Sequence, residues 1–194
     1  MLLQSKMHKY NRHSLRLKHY DYSREGFYFI TICTQNRLHL FGEIVDDVMV
    51  LNVAGEMLDH WYMELKNKFK HIKNHEMVVM PNHIHFIVEI AYGKNDGYAT
   101  VGADLRVCPH DGNNKVVVGD IVQWFKTMTT NQYIKMVKNG TCPPFDKRIW
   151  QRNYYEHIIR DDVDYERIST YIINNPLTWE DDVLSKNQYP KNNI

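Results

Sequence analysis

The chain has 194 residues, 43% of them apolar and 24% charged, which is enough for one sizeable core and too apolar for wholesale disorder. With 24 Lys and Arg against 23 Asp and Glu the formal charge is +1, so any affinity for nucleic acid must come from local clustering. No apolar run approaches the roughly 20 residues of a membrane helix, the opening residues Met1 to Lys6 lack the apolar stretch of a signal peptide, and the scattered Cys33, Cys108 and Cys142 exclude a disulfide framework and a CxxC zinc site and suit a reducing cytoplasm.

Residues 1–24 carry Lys6, Lys9, Arg12, Arg16, Lys18 and Arg24 against Asp21 alone and read as a basic arm. Phe27 to Thr34 is aromatic and β-branched, bounded by Gly26 and by Gln35-Asn36, and predicts a central strand. Val48 to Leu51 predicts a short edge strand. Asn52 then opens a helix to about Phe69, with Val53, Met57, Leu58, Trp61, Leu65 and Phe69 at helical spacing. Glu76 to Met80 and Ile84 to Ile90 predict two strands joined at Pro81-Asn82. Residues 91–115, rich in Gly, Asn and Asp, read as a long, flexible loop. Asp120 begins a second long helix to about Val137, stopped at Gly140. Ile149 to Tyr155 predicts a short strand. A third helix starts near Asp161 or Asp162 and ends at Pro176.

This order, with hairpins in place of regular βαβ alternation, predicts an α+β fold with an antiparallel sheet, and the ferredoxin-like split βαβ plan is the nearest simple match. Helices then cover one face of the sheet. A single domain is expected over residues 25–180, with 181–194 as a C-terminal tail.

Three groups of residues could carry chemistry. His83-Ile84-His85 lies in a predicted strand, where residues two apart share a face. The imidazoles then sit side by side, with Ile84, Phe86, Val88 and Ile90 on the opposite face and Ile87 on the histidines' own. Such a pair is a half-site for a divalent metal, or simply two histidines on an exposed sheet face. Tyr171 and Asn175 lie four apart at the end of the third helix and project from one side. Tyr171 also shares the apolar stripe of Ile168 and Ile172, which fits a core tyrosine, and Asn174 competes with Asn175 for any polar role. The stretch from Ile149 to Arg160 interleaves Trp150, Tyr154 and Tyr155 with Arg152 and Arg160. Rings stack unpaired bases and guanidinium groups hold phosphates, although an edge strand with core aromatics has the same pattern. Lys126 on the second helix could add a backbone contact, or face solvent.

Taken together, Val78 to Val88, containing MPNHIH, resembles the histidine–hydrophobe–histidine (HUH) core of single-tyrosine transposases. Trp150 to Arg160 followed by YIINNP at Tyr171 to Pro176 is similar to the REP-associated tyrosine transposase branch, and the likeness runs from about Phe27 to Trp179. It implies a sheet carrying the HUH pair and a C-terminal helix carrying the nucleophile. His83, His85 and Asn175 would be ligands of Mg²⁺ or Mn²⁺, in a site poor in carboxylates, and Tyr171 the nucleophile. The implied activity is a metal-dependent, single-stranded DNA endonuclease and strand transferase forming a 5′-phosphotyrosine intermediate on hairpin or palindromic repeat DNA. The alternatives are a catalytically silent hairpin-binding protein and a hydrolase that uses water. Arg12, Arg16, Lys126, Trp150, Arg152, Tyr154 and Tyr155 would contact single-stranded or hairpin DNA. The expected setting is the bacterial cytoplasm at the nucleoid, as a monomer or homodimer with no membrane partner.

Overall fold

The computed structural model describes residues 20–92 and 115–185. The greater part of the basic arm, with Arg12 and Arg16, lies outside these residues, as does nearly all of the loop predicted over 91–115.

Six strands and four helices are present among the described residues. Strand β1 (Gly26–Cys33) is followed by the hairpin β2 (Gly42–Val45) and β3 (Val48–Leu51), then by α1 (Val53–Met63) and the short α2 (Leu65–Lys68). Next come β4 (Ile72–Met80), β5 (His83–Ile90), the long helix α3 (Val118–Lys138), β6 (Tyr155–Ile159) and α4 (Asp162–Ile173). The main sheet has the order β4-β5-β1-β6, every neighbour antiparallel. Its strands and the two long helices between them follow the split βαβ plan.

Local chemistry explains most boundaries. Asn52 caps α1, its side chain accepting from the amides of Ala54 and Gly55. Asp161 caps α4 through the amide of Asp164. Val48 to Leu51 does form a strand, and its partner β2, which the sequence reading missed, is joined to it through Asp46 and Asp47. Both have positive φ, the left-handed pair that a two-residue hairpin requires. The predicted helix from Asn52 to Phe69 breaks at Glu64. The strand predicted over Ile149–Tyr155 is displaced: Trp150 makes one isolated bridge to Thr34, and continuous pairing with β1 begins at Tyr155. The last residues of the predicted arm belong to the domain, since Tyr20 and Tyr22 pack on the core and the Tyr22 carbonyl accepts from the Val118 amide.

The two faces of the sheet bury unequal cores. Tyr28, Ile30 and Ile32 of β1 with Ile84, Phe86 and Val88 of β5 meet Leu58 of α1 and Phe125 of α3. The other face holds a small cluster, Phe29, Ile87 and Ile159 against Ile168 and Ile172 of α4. Full burial of an aliphatic or aromatic side chain contributes roughly 1.5–3 kcal/mol, so α4 rests on a few apolar contacts and needs polar ones as well. These come from Tyr165, whose hydroxyl donates to Glu76 (2.8 Å) and lies 2.9 Å from His75 Nδ1, and from His157, whose Nε2 is 2.8 Å from Asp164 Oδ2.

Candidate active site

The alternation of β5 puts His83 and His85 on the α4 face, as their parity requires. They are not on an open surface. Helix α4 and the 3₁₀ segment Asn175–Asp181 cover them, leaving His83 0% and His85 2% exposed. Each ring is held by a neighbour. The Asn82 amide donates to the Leu184 carbonyl (2.8 Å), which turns its Oδ1 toward His83 Nδ1 (2.8 Å). His83 therefore carries its proton on Nδ1 and presents the lone pair of Nε2 inward. His85 pairs across the sheet with Thr31, whose hydroxyl is 2.8 Å from Nδ1. Phe29 stacks on the His85 ring and Trp179 on that of His83. Such partners orient imidazoles for ligation through the other nitrogen.

Tyr171 comes from the last turn of α4. Ile168 and Ile172 point into the small core, and Tyr171 lies on the flank of that stripe, 42% exposed. It is thus no core tyrosine: its hydroxyl stands 3.3 Å from His85 Nε2 at the floor of a cleft of about 610 Å³. Burial and the negative charge of Asp182 both hold its phenol above the ordinary pKa.

Asn174 is exposed at the helix end, whereas Asn175 is 1% exposed and neither atom of its amide has a hydrogen-bond partner among the described residues. Two further buried atoms in the site lack one: His83 Nε2 and Asp182 Oδ2, 3.8 Å apart. His83, His85 and Asp182 each offer an atom within 4.8 Å of the others, a grouping that could hold a metal ion. Two ligands about 2.1 Å from one ion stand about 3–4 Å apart, so these unpaired donors fit a divalent cation. Asp182 corrects the expectation of a site poor in carboxylates. It lies seven residues beyond Asn175, in the stretch assigned to the tail, with no motif to mark it. Asn82 and Thr31 were also missed, because their roles depend on the turn and on the β1–β5 register.

Two of the expected DNA contacts have other duties. Trp150 is 5% exposed, packed on Phe41 and Phe125 with its indole N–H donating to Thr129 (3.0 Å), so neither ring face is open to a base. Lys126 donates to the carbonyls of Gln151 (2.9 Å), Arg152 (3.3 Å) and Asn153 (3.2 Å), and burial lowers its pKa to about 8. It pins that loop and has no proton left for a phosphate. Tyr154 lies beneath the Lys126 ammonium. Arg152 is exposed, and Tyr155 borders the cleft with its edge against Phe29. A second groove of about 580 Å³ runs along α3 past Lys147, Arg148 and Arg152, and shares Gln151 and Tyr154 with the first.

The buried imidazoles predict acid sensitivity. Burial pushes His85 down to about 3, and burial followed by the neighbouring His85 pushes His83 well below its ordinary value. The unfolded chain takes up protons near pH 6.5 that the folded site refuses. In the metal-free protein this contribution is present in full at pH well above 6.5 and is lost as the pH falls from there toward 3. His85 alone accounts for on the order of 2 kcal/mol at pH 5. Urea unfolding at pH 7 and 5 in a chelator should show the loss, and His85→Asn should reduce the difference between them. Equal midpoints for the wild type would contradict it.

No family model matches the chain. It is 42% identical over 177 residues to an uncharacterised protein of Haemophilus influenzae, covering 90% of this chain and 93% of that one. It is 25% identical over 171 residues to a second protein of that organism, described as a "Putative REP-associated tyrosine transposase", covering 81% of this chain and 73% of that one. Of solved structures, that of a REP-associated tyrosine transposase bound to a REP hairpin matches with a TM-score of 0.50 at 20% identity, over 90% of this chain and 89% of that one, which speaks to the fold. No helix among the described residues is long and apolar enough to cross a membrane. The chain belongs to one family with the Haemophilus influenzae protein that it matches at 42%, is a distant relative of the one described as a putative REP-associated tyrosine transposase, and shares the fold of the solved REP-associated tyrosine transposase.

Proposed function

We propose that the protein is a metal-dependent nicking and joining enzyme of the HUH single-tyrosine type, acting on single-stranded DNA folded into a hairpin. The observation that carries this reading is the Tyr171 hydroxyl 3.3 Å from His85, half exposed at the floor of a cleft and beside buried donors that lack partners. His83 and His85 through Nε2, and Asn175 through its amide oxygen, would hold Mg²⁺ or Mn²⁺. The cation, when bound, supplies Lewis-acid polarisation of the scissile phosphate and stabilises charge on the departing oxygen.

The chain's own residues do the rest. Helix α4 holds the phenol at the cleft floor, so attack on the phosphate needs little further ordering. A phosphorus–oxygen bond forms to Tyr171 as the bond to the 3′ oxygen breaks. The phenolic proton leaves to water in the cleft, and the 3′ oxygen ends as a hydroxyl. One phosphodiester replaces another, so transfer to a second 3′-OH needs no nucleotide cofactor. Arg37 and Arg167 border the cleft and suit phosphates, while Tyr155 offers a ring to a base. Lys147, Arg148 and Arg152 suit the backbone of a paired stem in the adjoining groove.

Incubating the protein with a labelled hairpin carrying single-stranded flanks and Mn²⁺ should give a covalent protein–DNA adduct that survives denaturation and is absent in chelator. Tight hairpin binding with no metal-dependent nicking would instead establish the silent binding protein. Nicking with multiple turnovers and no adduct would establish hydrolysis by water.

A further inference from the structure

We infer that Asp182 is a direct, anionic ligand of the cation held by His83 and His85, delivered by the segment that follows α4; this rests on the metal-dependent reading above and adds to it a residue from outside the motifs. Its carboxylate is almost fully covered, with 10% of the side chain exposed. One oxygen is tied down, since Oδ1 accepts from the Leu184 amide at 2.7 Å. The other, Oδ2, has no hydrogen-bond partner among the described residues and stands 3.8 Å from His83 Nε2, itself unpartnered and fully buried. A buried carboxylate facing a neutral imidazole is costly unless a cation lies between them. At 3.8 Å the pair is too far apart to hydrogen bond and spaced as two ligands of one ion.

The surroundings hold this carboxylate as firmly as they hold the imidazoles. Asn82, at the turn of the β4–β5 hairpin, uses its two amide atoms on both partners: Oδ1 meets His83 Nδ1 and Nδ2 donates to the Leu184 carbonyl. One side chain therefore sets the His83 ring and anchors the turn that aims Asp182. Ser185 closes that turn by donating to the Asp182 carbonyl (2.7 Å), and Trp179, three residues before Asp182, covers His83. The donor set becomes two neutral nitrogens, one carboxylate oxygen and the Asn175 amide oxygen. A carboxylate suits a hard cation such as Mn²⁺ or Mg²⁺ better than imidazoles alone do. It also gives the cation a charge partner before any phosphate arrives, so that metal binds without DNA.

The test is Mn²⁺ titration of the full chain without DNA, followed by calorimetry and by the paramagnetic signal of free Mn²⁺. Asp182→Asn keeps an oxygen to accept from Leu184 and removes only the charge. It should weaken Mn²⁺ binding by about tenfold or more and shrink the rise in Tm that Mn²⁺ gives the wild type, while the Tm in chelator is unchanged or higher. Unchanged Mn²⁺ affinity in Asp182→Asn, with binding lost in His85→Ala, would overturn the role of Asp182 and leave the metal-dependent reading standing. A wild type that neither binds Mn²⁺ nor forms the adduct would overturn both.

Discussion

Tyr171→Phe is expected to abolish the covalent adduct, lowering its rate of formation by a factor on the order of 10³ or more, while leaving hairpin affinity and stability close to wild type. The selectivity follows from where the hydroxyl sits. Phenylalanine keeps the edge contacts of the ring with Phe29 and His85. The oxygen that it lacks faces the cleft at 3.3 Å from His85 Nε2, with the Asn175 amide beside it. Removing it changes stability by less than about 1 kcal/mol, the usual size for a half-exposed group. A labelled hairpin, Mn²⁺ and a denaturing gel suffice for the measurement. An adduct that persists in Tyr171→Phe would move the nucleophile elsewhere, with Tyr155 across the same cleft the first to replace.

Ile172→Ala should have the second large effect, and a local one. Ile172 is fully buried in the small cluster that seats α4. Truncating a buried isoleucine to alanine costs roughly 2–5 kcal/mol. Here the loss falls on a helix held by a few apolar contacts and by the Tyr165 and Asp164 hydrogen bonds, so α4 should open before the domain does. Amide exchange along Asp162–Ile173 should speed up by about thirtyfold for a loss of 2 kcal/mol, with exchange in β1 and β5 much less affected. Adduct formation should fall with it, because the phenol is then held at the cleft for only part of the time. Faster exchange of α4 with an undiminished adduct rate would separate nucleophile placement from helix docking. By contrast Phe125→Ala, in the large core, should destabilise the whole domain.

Much of the site could be read along the chain because it depends on short-range geometry. A strand repeats every two residues, so MPNHIH already placed His83 and His85 on one face and Ile84 on the other. A helix repeats every 3.6, so Ile168 and Ile172 identified the inward stripe of α4, but the same spacing put Tyr171 in that stripe, and only the fold sets it on the flank. The choice between Asn174 and Asn175 was not local: it depends on how the chain leaves the helix into the 3₁₀ segment, which turns Asn175 inward and Asn174 to solvent. The strand expected at Ile149–Tyr155 shows the same limit. Its aromatic and β-branched composition suits pairing, but the β1 edge accepts a continuous partner only from Tyr155 onward, which leaves Trp150 to fill the core. Lys126 reads as a helix-surface cation, and only the fold brings three loop carbonyls to it.

The sequence by itself determined an antiparallel α+β domain, the side of the sheet on which two imidazoles stand, and the helix that carries one phenol, because period, capping and turn chemistry act over a few residues. The tertiary structure decided that the phenol lies over His85, that Thr31 and Asn82 orient the rings, and that Asp182 joins them. These contacts link residues far apart in the chain, through strand register and the path of the backbone beyond Pro176. Both are set by how the whole core packs.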